Sequence, residues 1–104
     1  MDNKIITEDL KIKILNLLEK EASIRKDSIT FEIQDDGQCL MIYIPIDEFP
    51  ENEPTTTFQR IGYLLNTIMP SRKDDYSWFA TFTRAGEIVD SYFGGNLESP
   101  NSGL

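Results

Sequence analysis

Twice along this chain the spacing of apolar residues switches from the period of a helix to that of a strand. That double switch narrows the fold more than any other feature. Leu10, Ile14, Leu17, Leu18 and Ala22 recur at helical spacing and share one face. Thr7 stands where an N-cap belongs, and Glu8 and Asp9 follow in the first turn, where carboxylates suit the helix dipole. The spacing predicts a helix over 8–22, with Ile12 alone on its far side. Ile29, Phe31 and Ile33 then alternate with Thr30 and Glu32, the period of a half-buried strand. Asp35-Asp36-Gly37 signals a hairpin turn. From Cys39 to Ile46 both alternating sets are apolar: Leu40, Ile42 and Ile44 on one face, Cys39, Met41 and Tyr43 on the other. Such a strand is central in its sheet or has its outer face covered. Pro45 marks its end or an edge.

The second switch repeats the first. Residues 47–55 form a loop rich in acids and stiffened by Pro50 and Pro54. Thr56 and Gln59 match a capping box, with Thr56 as N-cap. Phe58, Ile61, Leu65, Ile68 and Met69 line one face of a second helix, which Pro70 stops. Gly62 lies beside that stripe, where close approach of a neighbouring backbone explains it. Tyr76–Thr83 reads as a third strand, with Tyr76, Trp78, Ala80 and Phe82 on one face. Arg84-Ala85-Gly86 reads as a three-residue turn, and Ile88–Phe93 as a fourth strand. Gly94-Gly95 ends the ordered core, and residues 96–104 form a flexible polar tail.

The expected fold is α+β in the order α-β-β-α-β-β. A four-stranded antiparallel sheet carries two helices packed on one face. The 104 residues suit a single domain, residues 1–95, followed by the tail. The αββ unit occurs twice, with turn glycines Gly37 and Gly86 49 residues apart. The units share no clear sequence identity, so the repetition is one of topology and not of duplication.

The chemical inventory points away from catalysis. The chain has no histidine, which removes the commonest general base and zinc ligand. Its single cysteine, Cys39, sits in an apolar strand with no histidine to activate it. No glycine-rich phosphate loop is present. Asp35-Asp36 and Asp74-Asp75 fall in turns and loops, where adjacent acids are solvated turn formers rather than an acid–base pair. Asp47, Glu48, Glu51 and Glu53 could hold a divalent cation weakly, but read first as a plain acidic loop. No enzymatic activity, cofactor or metal is expected.

Charge supplies the remaining signal. The net charge is −8, and it is unevenly placed. Residues 1–30 carry six acids and six bases, while residues 31–75 carry nine acids against three bases. A negative field repels nucleic acid and anionic membrane and favours a basic protein partner. Candidate partner-binding residues are Asp47, Glu48, Glu51 and Glu53, with Asp35, Asp36, Asp74 and Asp75 as secondary sites. The last hairpin is rich in aromatics, and Tyr76 and Tyr92 are its candidate anchors. The N-terminus shows no long apolar run, and the lone cysteine excludes an internal disulfide, so a cytoplasmic monomer or weak homodimer is expected.

The run Tyr76-Ser77-Trp78-Phe79-Ala80-Thr81-Phe82-Thr83-Arg84-Ala85-Gly86-Glu87-Ile88 resembles the carboxyl half of small bacterial immunity proteins. It looks most like the immunity partners of contact-dependent growth inhibition systems and the related YezG-like group. The resemblance covers about 20 residues. It implies a cytoplasmic protein that binds one toxin domain, often a nuclease, and blocks its active site or substrate groove. Gln34-Asp35-Asp36-Gly37-Gln38-Cys39-Leu40 is similar to the first hairpin of acidic type III secretion-effector chaperones. Those usually end in a further amphipathic helix, which residues 94–104 cannot form.

Overall fold

A computed structural model of the protein describes residues 8–34, 39–69 and 77–95. Helix α1 spans Glu8–Ala22. A short 3₁₀ turn, Lys26–Ser28, leads into β1, Thr30–Gln34, and β2, Cys39–Pro45. Helix α2, Thr55–Asn66, precedes β3, Ser77–Arg84, and β4, Glu87–Gly95. The expected helix over 8–22 is present with those bounds, and Ile12 is exposed. The expected cap Thr7, turn Asp35-Asp36-Gly37 and tail 96–104 lie outside the described residues, as does Pro70, but α2 already ends at Asn66, so Ile68 and Met69 follow the helix instead of lining it.

Leu10, Ile14 and Leu18 of α1 and Phe58, Ile61 and Leu65 of α2 pack on one face of the sheet. That face presents Leu40, Ile42 and Ile44 of β2 and Trp78, Ala80 and Phe82 of β3, all 0% exposed. Fully burying a side chain of this size contributes roughly 2 kcal/mol. These residues therefore form the one core that both helices share.

The sheet is mixed, which corrects the all-antiparallel expectation. Its order is β1-β2-β3-β4; both outer pairs are antiparallel, but β2 and β3 run parallel. The reason is the crossover. Parallel neighbours need a dozen or more connecting residues, usually a helix. Helix α2 lies between β2 and β3 in the chain and returns it across the sheet, so β3 starts at the same end as β2. The strand expected to be central, β2, is central. With both helices on one face, the two hairpins have opposite hands, so the αββ units are not rotated copies of each other.

The second hairpin differs in its turn. Arg84 pairs with Glu87, leaving two turn residues, Ala85 at φ 53° and Gly86 at φ 82°. Two consecutive positive φ values define the type I′ geometry that matches strand twist. Phe82 pairs with Asp90 and Thr83 with Ile88, so Val89 is the extra residue of a β-bulge. Strand β4 runs beyond the expected Ile88–Phe93 to take in Glu87, Gly94 and Gly95, and Gly94 pairs with Trp78.

The outer face of the sheet carries Met41, Tyr43, Phe79, Thr81 and Phe93. The Phe79 and Phe93 rings meet edge to face at 5.0 Å. Tyr43 donates its phenolic O–H to Glu32 Oε1 at 2.8 Å. That bond to a carboxylate favours the protonated phenol and raises the Tyr43 pKa above its ordinary value.

Candidate functional site: a braced acidic loop beside a cleft

The chain leaves β2 through Ile46, whose backbone N–H donates to Thr83 O at 2.8 Å. Here the acidic loop begins, and it is held from within and from across the sheet. Phe49 N donates to Ile46 O at 2.9 Å, and Glu53 N to Pro50 O at 3.0 Å. The Phe49 ring packs on Phe58 of α2 at 5.9 Å. Arg84, at the end of β3, donates from Nη1 to Phe49 O at 3.0 Å and from Nη2 to Pro50 O at 3.1 Å. Two adjacent loop carbonyls are thus clamped by one planar guanidinium.

The four loop carboxylates have separate fates. Asp47 Oδ1 accepts the Ala85 backbone N–H at 3.0 Å, so this side chain ties the loop to the β3–β4 turn. The tie matters because Ala85 sits in a left-handed conformation that costs a non-glycine residue about 1 kcal/mol or more. Glu53 Oε2 accepts the Thr57 hydroxyl at 2.6 Å. The capping box expected from Thr56 and Gln59 is not formed. Helix α2 starts at Thr55 with Pro54 as its N-cap, and no side chain caps it. Proline fixes its own φ and sets the chain direction there, and the hydroxyl that bonds Glu53 is that of Thr57, not that of the expected cap Thr56. Glu48 and Glu51 remain exposed and form no ion pair among the described residues.

Beside this loop lies an open cleft of 480 Å³. One wall is Pro45 with Asp47, Glu48, Phe49 and Pro50. The other is the end of α1 and the segment after it, Ala22–Arg25, with Ser28. That second wall is also fixed. Ser23 takes φ 57°, and Ile24 N donates back to Leu18 O at 3.2 Å, closing α1 over a left-handed residue. Ile24 is buried, and the Ser28 hydroxyl donates to Arg25 O at 2.7 Å. The Arg25 side chain is largely exposed, with only a loose contact to Asp27 at 3.8 Å. Sequence reasoning passed over Arg25 and Arg84. Arg25 belongs to a segment of balanced charge, and the role of Arg84 depends on carbonyls more than thirty positions away.

The other candidates are not gathered here. Asp35, Asp36, Asp74, Asp75 and Tyr76 lie outside the described residues. Tyr92 is half-buried on the helix-covered face, with its ring 5.6 Å from Trp78 and 6.0 Å from Tyr63. It packs against Gly62 of α2, where an added Cβ would overlap its ring. The close approach expected at Gly62 is therefore to a ring and not to a backbone. The large apolar side chains exposed on β4 are Ile88, Val89 and Phe93.

Among the described residues no three Cys, Asp or Glu side chains are grouped to hold a metal ion. No helix among them is long and apolar enough to cross a membrane. What the loop offers chemically is fixed negative charge. Arg84→Met should remove the clamp while keeping the apolar stem, lowering stability by about 1–2 kcal/mol. Urea unfolding would register that loss, and hydrogen exchange should rise at the amides of Phe49 and Glu53. Unchanged exchange there would show that the loop holds its shape without Arg84.

No family model, curated protein or solved structure matches the chain.

Proposed function

We propose that this chain is an immunity-type protein that binds a cognate basic toxin domain and neutralises it by covering its active site or substrate groove. One observation carries the reading. The acidic loop is braced at both ends and clamped by Arg84, yet Glu48 and Glu51 are left exposed. Charge held in one geometry loses less entropy on docking than charge on a loose loop. A nuclease groove is the target whose electrostatics fit best, because it must itself be positive to hold a nucleic acid. No cofactor or catalysis enters this role, and the protein acts in the cytoplasm where its toxin would strike.

The test is co-expression with a toxin-like domain encoded beside the gene. Growth should be rescued and a stable complex recovered; a toxin that kills equally well in the presence of the protein ends the proposal. Within such a complex, Glu48→Lys with Glu51→Lys should slow association about tenfold or more at low salt, with the difference shrinking as salt is added. An on-rate indifferent to these changes would remove the loop from the interface.

A second reading, as a secretion-effector chaperone, has one observation in its favour. Strand β4 is an edge strand, and its Ile88, Val89 and Phe93 are each at least half exposed. An extended segment could add to such an edge through main-chain hydrogen bonds. A dimer by size-exclusion mass that binds an effector segment and no toxin would favour it.

A further inference from the structure

The acidic loop explains only one wall of the cleft beside it. The same cleft is also lined by Arg25, so both signs of charge border it together with the apolar Ile24, Pro45, Phe49 and Pro50. We infer that this cleft is a peptide-binding site that receives a short basic segment of a partner protein, its cationic side chain against Glu48 and Asp47 and its backbone carbonyls against Arg25. The inference rests on the toxin-binding reading for its biological setting, but the chemistry of the site stands apart from it.

The size comes first. At 480 Å³ the cleft lies within the range of small-ligand pockets, about 300–1,000 Å³, and exceeds what one side chain fills. A segment of two or three residues suits it better. Its walls are preformed, one by the left-handed helix end at Ser23–Ile24 and the other by Arg84 and Asp47. Ile24, Pro45, Phe49 and Pro50 give the aliphatic stem of a lysine or arginine an apolar surface to lie on. Glu48 has no ion pair among the described residues, and Asp47 uses Oδ1 for the turn, so its other carboxylate oxygen is not needed there. Arg25 supplies donors that an acidic wall alone would lack, and its loose contact with Asp27 leaves guanidinium N–H groups for a carbonyl. A purely cationic ligand would leave Arg25 opposed, and an anionic one would meet Glu48 and Asp47. A peptide with one basic side chain satisfies both walls.

The probe is the capped tripeptide acetyl-Ala-Arg-Ala-amide, titrated into isotope-labelled full-length protein and followed by amide NMR. Saturable shifts should appear at Ser23–Ser28 and at Asp47–Phe49. Glu48→Gln and Arg25→Gln should each weaken binding about tenfold, while Glu87→Gln on β4 should leave it unchanged. The glutamate analogue acetyl-Ala-Glu-Ala-amide should not compete. The inference is overturned if tens of millimolar peptide moves neither wall, or if the glutamate peptide binds as well. It also fails if Glu48→Gln makes no difference. The two proposals separate cleanly. Toxin rescue without peptide binding would remove the cleft and keep the immunity role. Peptide binding without rescue would keep the cleft and remove that role.

Discussion

Replacing Trp78 by alanine is expected to remove about 3–5 kcal/mol of stability, the upper range for truncating a buried side chain. Trp78 is 0% exposed near the start of β3, paired with Leu40 on one side and Gly94 on the other. Its ring also contacts Tyr92. The more informative change is Trp78→Phe. The indole Nε1 is buried and finds no hydrogen-bond partner among the described residues. A buried, unsatisfied donor costs about 1–3 kcal/mol, so removing it offsets part of the lost packing. Phenylalanine should therefore cost less than about 1.5 kcal/mol. Urea unfolding of both variants tests this. If phenylalanine is as damaging as alanine, the indole N–H is satisfied in solution and the offset does not exist.

The second large effect runs against helix propensity. On propensity alone, Gly62→Ala should stabilise α2 by about 1 kcal/mol. In this fold the new Cβ would overlap the Tyr92 ring, and overpacking of that kind costs about 1–3 kcal/mol. The net expectation is a loss, read as a fall in Tm of about 4–8 °C per kcal/mol. In a Tyr92→Ala background the obstacle is gone, and the same substitution should become neutral or stabilising. That reversal of sign is the test, because a glycine kept for backbone flexibility would show the same loss in both backgrounds. Gly94→Ala should be worse than Gly62→Ala. Its Cβ would enter the Trp78 indole, which is fully enclosed and has no room to retreat.

Much of this architecture was legible in the chain, for reasons that differ by element. Helix α1 could be read because Leu10, Ile14 and Leu18 face one core and its other positions are mostly exposed, so period and burial agree. Strand β2 could be read as central because both its faces are apolar. The parallel pairing could not be read. Apolar period fixes which face a residue takes, but strand direction depends on where α2 sets the chain down. The capping box at Thr56 failed because a local pattern does not know that Pro54 already fixes the helix start. The acidic loop was visible as charge. That Asp47 and Glu53 each hold an internal bond while Glu48 and Glu51 hold no ion pair among the described residues depends partly on Ala85, whose distance along the chain hides it from local reasoning.

The parallel join between β2 and β3 also governs how the chain assembles. Each hairpin, and each helix, closes over a short stretch of chain and loses little loop entropy in forming. The seam joins residues about forty positions apart, so its contacts come only after a large loop has closed. Trp78, Ala80 and Phe82 lie on one side of that seam and Leu40, Ile42 and Ile44 on the other. Neither half can shield its own apolar face. By topology the seam is therefore the contact dearest in loop entropy, and the interior is closed only once it is made.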